Sequence, residues 1–442
     1  MDTQAAGEWL EEHKIKYVEL IVPDMAGMPK GKVQPADSFL GKKFKIPITV
    51  LSQTVTGKYF LRDENIGDRD MEIRADLSSL RIVPWANVPT ASVIMDCYEL
   101  DGTPLEHSPR LVLKRIIEKY QANGWNPVVA PEVEFYLTKS HHDKKSDYRV
   151  FTPETENLEA LVDPYGLDKV HDLEALFDKL AEYLEAQNIF NGAVSQEIGP
   201  AQFEINFDHG DPLKLADEVF LFKRTLKRVA TEFGVGATFL AKPDAKQAGS
   251  ALHIHQSVND MDGNNLFATE GFQYSEVFEH YMGGLQQVMP SMLLLFAPYD
   301  NSYRRFLSHF ASPINFSWGI DNRSVGFRVP ESVVNSIRIE NRIAGSDVNP
   351  YLAIAGSIAC GYLGMTKKLK PAPEVKGSAY DAKFGLHRDL QYAIQGFKQS
   401  EDVRALLGDD FVEAYCALKD VESLEFQRRI PEWERDFLLE IL

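Results

Sequence analysis

The sequence predicts an α+β protein of two domains, one small and one large. At 442 residues the chain exceeds what one ordinary core accommodates. Its first hundred residues read as short strands with few helical periods, and beyond them strands interleave with amphipathic helices. The composition, 44% hydrophobic and 25% charged, is that of a globular chain.

The early strands are "KYVELIVPD", "GKVQPA", "SLRIVPW" and "ASVIMDCYE". The pattern changes at "LDGTPLEHSPRLVLKRIIEKYQANGW". There Asp101-Gly102 marks a turn, Ser108 is placed to cap a helix with Pro109 at its first position, and Leu111, Leu113, Ile116 and Ile117 recur at helical spacing. This sets the domain boundary near 105, with a small domain over 1–105 and a large one over 106–442. Helices are predicted at 171–188, 214–234 and 275–296, with acidic ones after 388. The polar stretch 140–156, with its adjacent histidines, reads as a surface loop.

Bulk properties exclude several classes. The most apolar run, "VMPSMLLLFAPY" from 288, falls short of a membrane span and contains two prolines. Residues 1–17 carry charges where a signal peptide needs an apolar core, so a cytoplasmic protein is expected. Cys97, Cys360 and Cys416 have no metal-type spacing and are expected to be reduced, structural thiols. A net charge of −18 argues against nucleic-acid binding, but it is compatible with carboxylates gathered around cations.

The strands of the larger domain carry the chemistry. "VAPEVEFYL" (129–137) sets Glu132 and Glu134 on one face of an otherwise apolar strand. "AQFEINF" sets Gln202, Glu204 and Asn206 opposite Phe203, Ile205 and Phe207. "ALHIHQSV" contributes His253 and His255, "SIRIENRI" contributes Arg338, Glu340 and Arg342, and "VGFRVP" contributes Arg328. A solvated sheet would show mixed Lys, Thr and Ser outward. These faces carry Glu, His and Arg, so together they read as the wall of a cleft that holds ions. "SQEIGPAQFE" reads as a hairpin with Gly199-Pro200 at its turn, bringing Glu197 near Glu204.

Singly, each of these glutamates is more often an ion-paired surface residue. The joint set of Glu132, Glu134, Glu197, Glu204, Glu340 and His253 is an oxygen-rich site suited to Mg²⁺ or Mn²⁺, with room for more than one ion. Arg305, Arg323, Arg328, Arg338 and Arg342 lie around it in sequence, and arginine grips carboxylate and phosphate bidentately. Cations plus arginines fit phosphoryl transfer. No G-x-x-x-x-G-K-S/T or G-x-G-x-x-G loop is present, so a nucleotide would be held by metals and arginines.

At this point the residues resemble a known family. "PEVEF", "QEIGPAQFE", "GSALHIHQS", "NSYRR", "DNRSVGFRVP" and "RIENRIAGSDVNPYLAIA" occur in the order and approximate spacing of the class I type glutamine synthetases, over essentially the whole chain. The resemblance implies a small N-terminal β-grasp domain packed on a catalytic domain whose curved antiparallel sheet forms half a barrel ringed by helices. It implies a homo-oligomer of two stacked rings, a dodecamer, with active sites between neighbouring subunits. By motif match Glu134, Glu197 and Glu204 would bind one metal, and Glu132, His253 and Glu340 the other. Gly249, Arg305 and Arg342 would hold L-glutamate. His255, Ser257, Arg323, Arg328 and Arg338 would face ATP, Arg323 as the catalytic candidate. The implied reaction activates the γ-carboxylate of glutamate as an acyl phosphate, which an amine then attacks.

Two departures from the family pattern matter. Ammonia-using members have a glutamate in a "G-Y-E-A-P" flap after "NSYRR", whereas this chain has "SHFASP" with Ala311 at that place. The family's "D-G-S-S" loop supplies an aspartate, whereas "VLSQTVTGKYF" from 50 contains no acidic residue. Ammonium must be held as a cation and deprotonated before it attacks, so losing both acids disfavours ammonia. The expected activity is therefore γ-glutamyl ligation to an organic primary amine, a monoamine rather than a polyamine, with Phe310, Ala311 and Trp318 lining the amine pocket and an ammonia-dependent glutamine synthetase as the alternative. "AYDAKFGLHRDL" replaces the segment that carries the regulatory tyrosine of some members, so control by tyrosine adenylylation is not expected.

Overall fold

A computed structural model describes residues 1–58, 68–139, 164–189, 191–269, 274–307, 311–333, 336–381, 385–439 and 441. Two sheets organise it. In the first, β1 (Tyr17–Pro23) pairs antiparallel with β2 (Pro29–Pro35) and parallel with β6 (Thr90–Tyr98). On the far side of β6 stand β4 (Asp70–Ala75) and then β3 (Phe44–Pro47), while β5 (Arg81–Ile82) pairs separately with β6. Helix α1 (Thr3–Glu12), which the sequence reading passed over, is capped by Asp2 and buries only Ala6 and Leu10, too few positions to set a helical period.

Helix α2 (Pro109–Gln121) begins where the Ser108-Pro109 signal placed it. Ser108 has the extended backbone of a cap but makes no capping hydrogen bond; its hydroxyl faces the buried Cys97 thiol instead. The second sheet follows, with β7 (Trp125–Lys139) near its middle. On one side lie β9 (Gln202–Phe207) and β8 (Asn191–Gln196), with β10 (Val235–Thr238) on the end of β7. On the other lie β11 (Leu252–Asp260), β14 (Ile339–Asn341), β13 (Phe327–Val329) and β12 (Trp318–Ile320). Every described pairing here is antiparallel except that of β12 with β13. The sheet is nearly closed, like a barrel.

The apolar side chains of this sheet, Val133, Phe135, Phe203, Ile205, Leu252 and Ile254, are buried in one core with the surrounding helices. These are α3 (Leu167–His171), α4 (Glu174–Ala186), α5 (Pro212–Glu232), α6 (Glu276–Phe296), α7 (Asp300–Arg305), α8 (Pro350–Lys367), α9 (Leu390–Gln399), α10 (Glu401–Leu407) and α11 (Asp409–Gln427), whereas α12 (Glu432–Leu438) buries no residue. Helix α8 is apolar almost all round, so it shows no one-sided stripe in the sequence. It packs against α6 so closely that a Cβ on Gly284 would stand 2.2 Å from the carbonyl of Cys360. No helix among the described residues is long and apolar enough to cross a membrane.

An ion-pair hub joins the two sheets' surroundings. Arg110 on α2 is 1% exposed, and its guanidinium reaches Asp96 of β6 at 2.7 Å, Asp76 at 2.8 Å, and Asp217 of α5 at 2.8 and 2.9 Å. Tyr351 of α8 donates to Asp217 at 2.7 Å.

Candidate active site

Strand register brings the charged residues together. Glu132 stands opposite His253 on β11 and Asn206 on β9, and Glu134 stands opposite Glu204. Glu340 on β14 stands opposite His255 and, on its other side, Arg328 of β13. Because side chains alternate across a strand, all of these point to the face away from the core. Glu197 arrives on a tight turn in which the Gln202 N–H donates to the Gly199 carbonyl and Ala201 takes φ +53° after Pro200.

Two close groups result. Glu132, His253 and Glu340 bring ligand atoms within 4.8 Å of one another, as do Glu134, Glu204 and His253. The motif match groups Glu197 with Glu134 and Glu204; here Glu197 lines the same cavity as those two, and His253 is the group within 4.8 Å of both. His253 Nδ1 makes no hydrogen bond and stands 3.4 Å from a Glu132 oxygen and 3.9 Å from oxygens of Glu204 and Glu340. A buried nitrogen without a hydrogen-bond partner, ringed by carboxylate oxygens, fits a divalent cation, and this oxygen-rich donor set suits Mg²⁺ or Mn²⁺.

Electrostatics divide the cluster. Burial, with the Glu197 charge adding to it, pushes the Glu134 carboxyl far up. Burial and the charges of Glu132, Glu134 and Glu197 do the same to Glu204, and burial raises Glu197. Burial also opposes ionisation of Glu340, but Arg342, His253 and His255 outweigh it and hold it at about 2. Glu132 is likewise held low by the two imidazoles against its burial. Burial and Arg342 press His253 down to about 4, which keeps its imidazole neutral, the form a metal requires.

The metal-free protein should therefore lose stability as the pH rises. Folded Glu134, Glu197 and Glu204 retain protons that the unfolded chain releases near the ordinary carboxylate value of 4.5. Their contribution is full below that value and disappears as the pH climbs through the raised folded values. Thermal melts between about pH 6 and 9 should show a falling midpoint that Mg²⁺ restores most at the alkaline end, because the cation displaces those protons. A midpoint indifferent to both pH and Mg²⁺ would contradict this.

The cluster lines a cavity of about 750 Å³, and a second cavity of about 330 Å³ lies beside it. Arg305, Arg323, Arg328, Arg342 and Gly249 line the larger one; His255, Ser257 and Arg338 line the smaller. His255 links the two. Arg338 Nε stands 3.2 Å from its Nδ1, and a guanidinium only donates, so Nε2 carries the ring proton and donates to Glu132 at 2.9 Å. Arg328 grips Glu340 at 2.7 Å and Asp321 at 2.9 Å. Arg342 pairs with Glu340 and donates to the Ala311 carbonyl at 3.2 Å. Arg305 is 2% exposed, and its guanidinium donates to the carbonyls of Arg342 and Ile343. Gly249 must be glycine here, since a Cβ would come within 2.7 Å of the Ala241 carbonyl and 2.8 Å of Arg305 Cγ.

Of the expected amine-pocket residues, Ala311 lines the larger cavity, with a left-handed φ of +53°. Phe310 lies outside the described residues. Trp318 does not line either cavity: its indole packs edge-on against Phe278 and donates to the Ala372 carbonyl, because the apolar face of β12 turns to the core. The sequence reading missed Tyr165, which lines the larger cavity and is 66% exposed. Its only sequence signal is the turn-forming Pro164-Tyr165-Gly166. None of the described residues 50–58 of the loop lines the cavity within this chain. Its Val55 N–H and Lys58 are held by Glu422 and Glu425 of α11.

A model of the glutamine synthetase catalytic domain matches residues 106–438. The chain is 33% identical to a glutamate–isopropylamine ligase of a Pseudomonas species, over 98% of this chain and 97% of the relative. It is 32% identical to the γ-glutamylputrescine synthetase PuuA of Escherichia coli K12, over 99% and 94% respectively. It is also 32% identical to a glutamine synthetase of Pyrococcus abyssi, over 95% of each. Among solved structures, apo GmaS without ligand superposes with a TM-score of 0.84 at 25% identity, covering 98% of this chain and 99% of that one.

Proposed function

The chain belongs to the glutamine synthetase family, and from that premise we propose that it joins the γ-carboxylate of L-glutamate to an organic primary amine, a monoamine before a polyamine, through a γ-glutamyl phosphate. ATP-dependent ligation at glutamate, forming a C–N bond, is common ground for its relatives. The amine is the finer assignment. The observation that carries it is Ala311 on the cavity wall where ammonia-using members have a flap glutamate. Among the described residues, every acid lining that cavity belongs to the cation cluster: Glu132, Glu134, Glu197, Glu204 and Glu340. What remains of the wall includes Pro164, Tyr165, Ala193, Ile198 and Ala311, which suits an uncharged substituent better than a second ammonium. The isopropylamine ligase among the relatives agrees with a monoamine; the putrescine enzyme keeps a diamine in the test panel.

In this reading Arg305, Arg342 and Gly249 hold glutamate, and Arg323 steadies the transferring phosphoryl group. His255, Ser257, Arg328 and Arg338 face the nucleotide. Bound Mg²⁺ or Mn²⁺, held by Glu132, Glu134, Glu197, Glu204, His253 and Glu340, would supply charge neutralisation for the phosphates. A carboxylate resists attack until phosphate becomes its leaving group. The amine nitrogen then bonds to the acyl carbon, loses a proton, and phosphate departs. We further propose the family's two-ring dodecamer, for which a native mass twelve times the 49.9 kDa chain is the check.

Ala311→Glu tests the amine assignment. Restoring the carboxylate should raise turnover with ammonia relative to the best organic amine by about tenfold or more. An unchanged ratio would mean that Ala311 does not set the choice.

A further inference from the structure

Gln202 is 1% exposed on β9, and its side chain joins three parts of the site. Its Nε2 donates to Glu134 Oε2 at 3.2 Å and to the Gly249 carbonyl at 3.0 Å, and its Oε1 accepts the Gly199 N–H at 2.9 Å. These partners are a carboxylate of the cation cluster, the segment packed on Arg305, and the turn that carries Glu197. We propose that Gln202 is a positioning residue that fixes Glu134 for cation binding and couples it to the 249–251 segment. This rests on the cation reading of the cluster and not on the identity of the amine.

A glutamate's terminal torsion is broad and soft, so an unsupported carboxylate can turn its oxygens. Here two N–H donors converge on Glu134 Oε2, Gln202 Nε2 and the Ala251 backbone at 2.7 Å. Their convergence fixes the plane of the carboxylate and leaves Oε1 for a ligand. No charged or apolar side chain performs this task. A carboxylate at 202 would repel Glu134 and offer the Gly249 carbonyl no donor, while a hydrocarbon would leave both without their partner. The surrounding fold does not depend on this amide alone, because Tyr136 holds the same segment through the Ala248 carbonyl at 2.8 Å, and Gln196 holds the Gly199 carbonyl at 2.9 Å. Loss of Gln202 should thus be felt as misplacement of Glu134 before it is felt as unfolding.

The test is the Mg²⁺ dependence of the thermal midpoint without substrates, compared between wild type and Gln202→Met. The half-saturating Mg²⁺ concentration should rise about tenfold or more, the usual cost of losing a partner that orients a metal ligand. KM for glutamate should rise with it, while KM for ATP holds. In a Glu134→Gln background the same Gln202→Met change should shift the Mg²⁺ response by less than about twofold, since its effect passes through Glu134. An unchanged Mg²⁺ response in Gln202→Met, or the full shift persisting without Glu134, overturns the proposal. Should the Met variant not fold, Gln202→Glu, which keeps the shape and the acceptor for Gly199, is read by the same criteria. A wild type whose midpoint ignores Mg²⁺ overturns the cation reading itself, and this proposal with it.

Discussion

His253→Ala should lower kcat/KM for ligation by about a thousandfold, because a metal site supplies several kcal/mol of transition-state stabilisation and each 1.4 kcal/mol is tenfold. His253 is the right residue to remove because it belongs to both close groups, so one change damages both candidate cation sites. It is also neutral in the folded protein, pressed down to about 4 by burial and Arg342, so its loss strands no charge. The metal-free protein should consequently melt within a few degrees of wild type while the stabilisation by Mg²⁺ largely vanishes. Activity retained within about tenfold would place the cation elsewhere. A collapse of metal-free stability would make His253 a structural core residue, the bland reading that a lone buried histidine invites.

Arg110→Met should destabilise the protein by about 3–5 kcal/mol, the range for breaking a buried ion pair on one side. The penalty comes from what is left behind: Asp76, Asp96 and Asp217 would face one another with no guanidinium between them. Burial opposes ionisation of Asp76, yet Ser78 and Arg110 hold its carboxyl well below the usual range, so Asp76 stays charged until the solution is strongly acid. Lys114, which pairs with Asp76 and Asp96, cannot reach Asp217 by any described contact and offers only partial cover. Arg110→Lys should recover part of the loss, since a point charge lacks the fork that meets three carboxylates. The urea midpoint of unfolding checks both variants; a midpoint unmoved in Arg110→Met would mean the hub contributes nothing net.

How much of this was legible in the sequence depends on contrast. Strands β7, β9 and β11 are legible because Glu and His alternating with Phe, Ile and Leu recur on several strands at once, and the register then does the rest. The segment around Glu340 was read as "SIRIENRI", but only Ile339–Asn341 pairs as strand, enough to present Glu340. Helix α8 was missed for the opposite reason: buried on nearly every side, it has no polar face to create a period. In β4 the apolar residues Met71 and Ile73 sit among charges, and β3 is only four residues long, so neither stood out.

Within the site, the alternating strand pattern shows which side chains share the polar face, but not the distances between them. The motif match groups Glu197 with Glu134 and Glu204; in the structure His253 lies within 4.8 Å of those two, and Glu197 lines the same cavity. Trp318 misled as an aromatic close in sequence to the flap; a strand residue beside a cavity can face either way, and this one faces Phe278. Tyr165 follows a polar stretch and gave no periodic signal. The placements of Gln202 and Arg110 are products of tertiary convergence, three segments meeting at one side chain, which no local pattern encodes.

We propose that this member of the family uses an organic amine. The most direct test is ADP release by the purified protein with glutamate, ATP and Mg²⁺ across ammonia, monoamines such as isopropylamine, and polyamines such as putrescine. The expected result is a kcat/KM for the best monoamine at least about tenfold above that for ammonia, with polyamines between or below. Ammonia turnover equal to or above that of every amine would contradict it, and would mean that another group supplies the acid missing at Ala311.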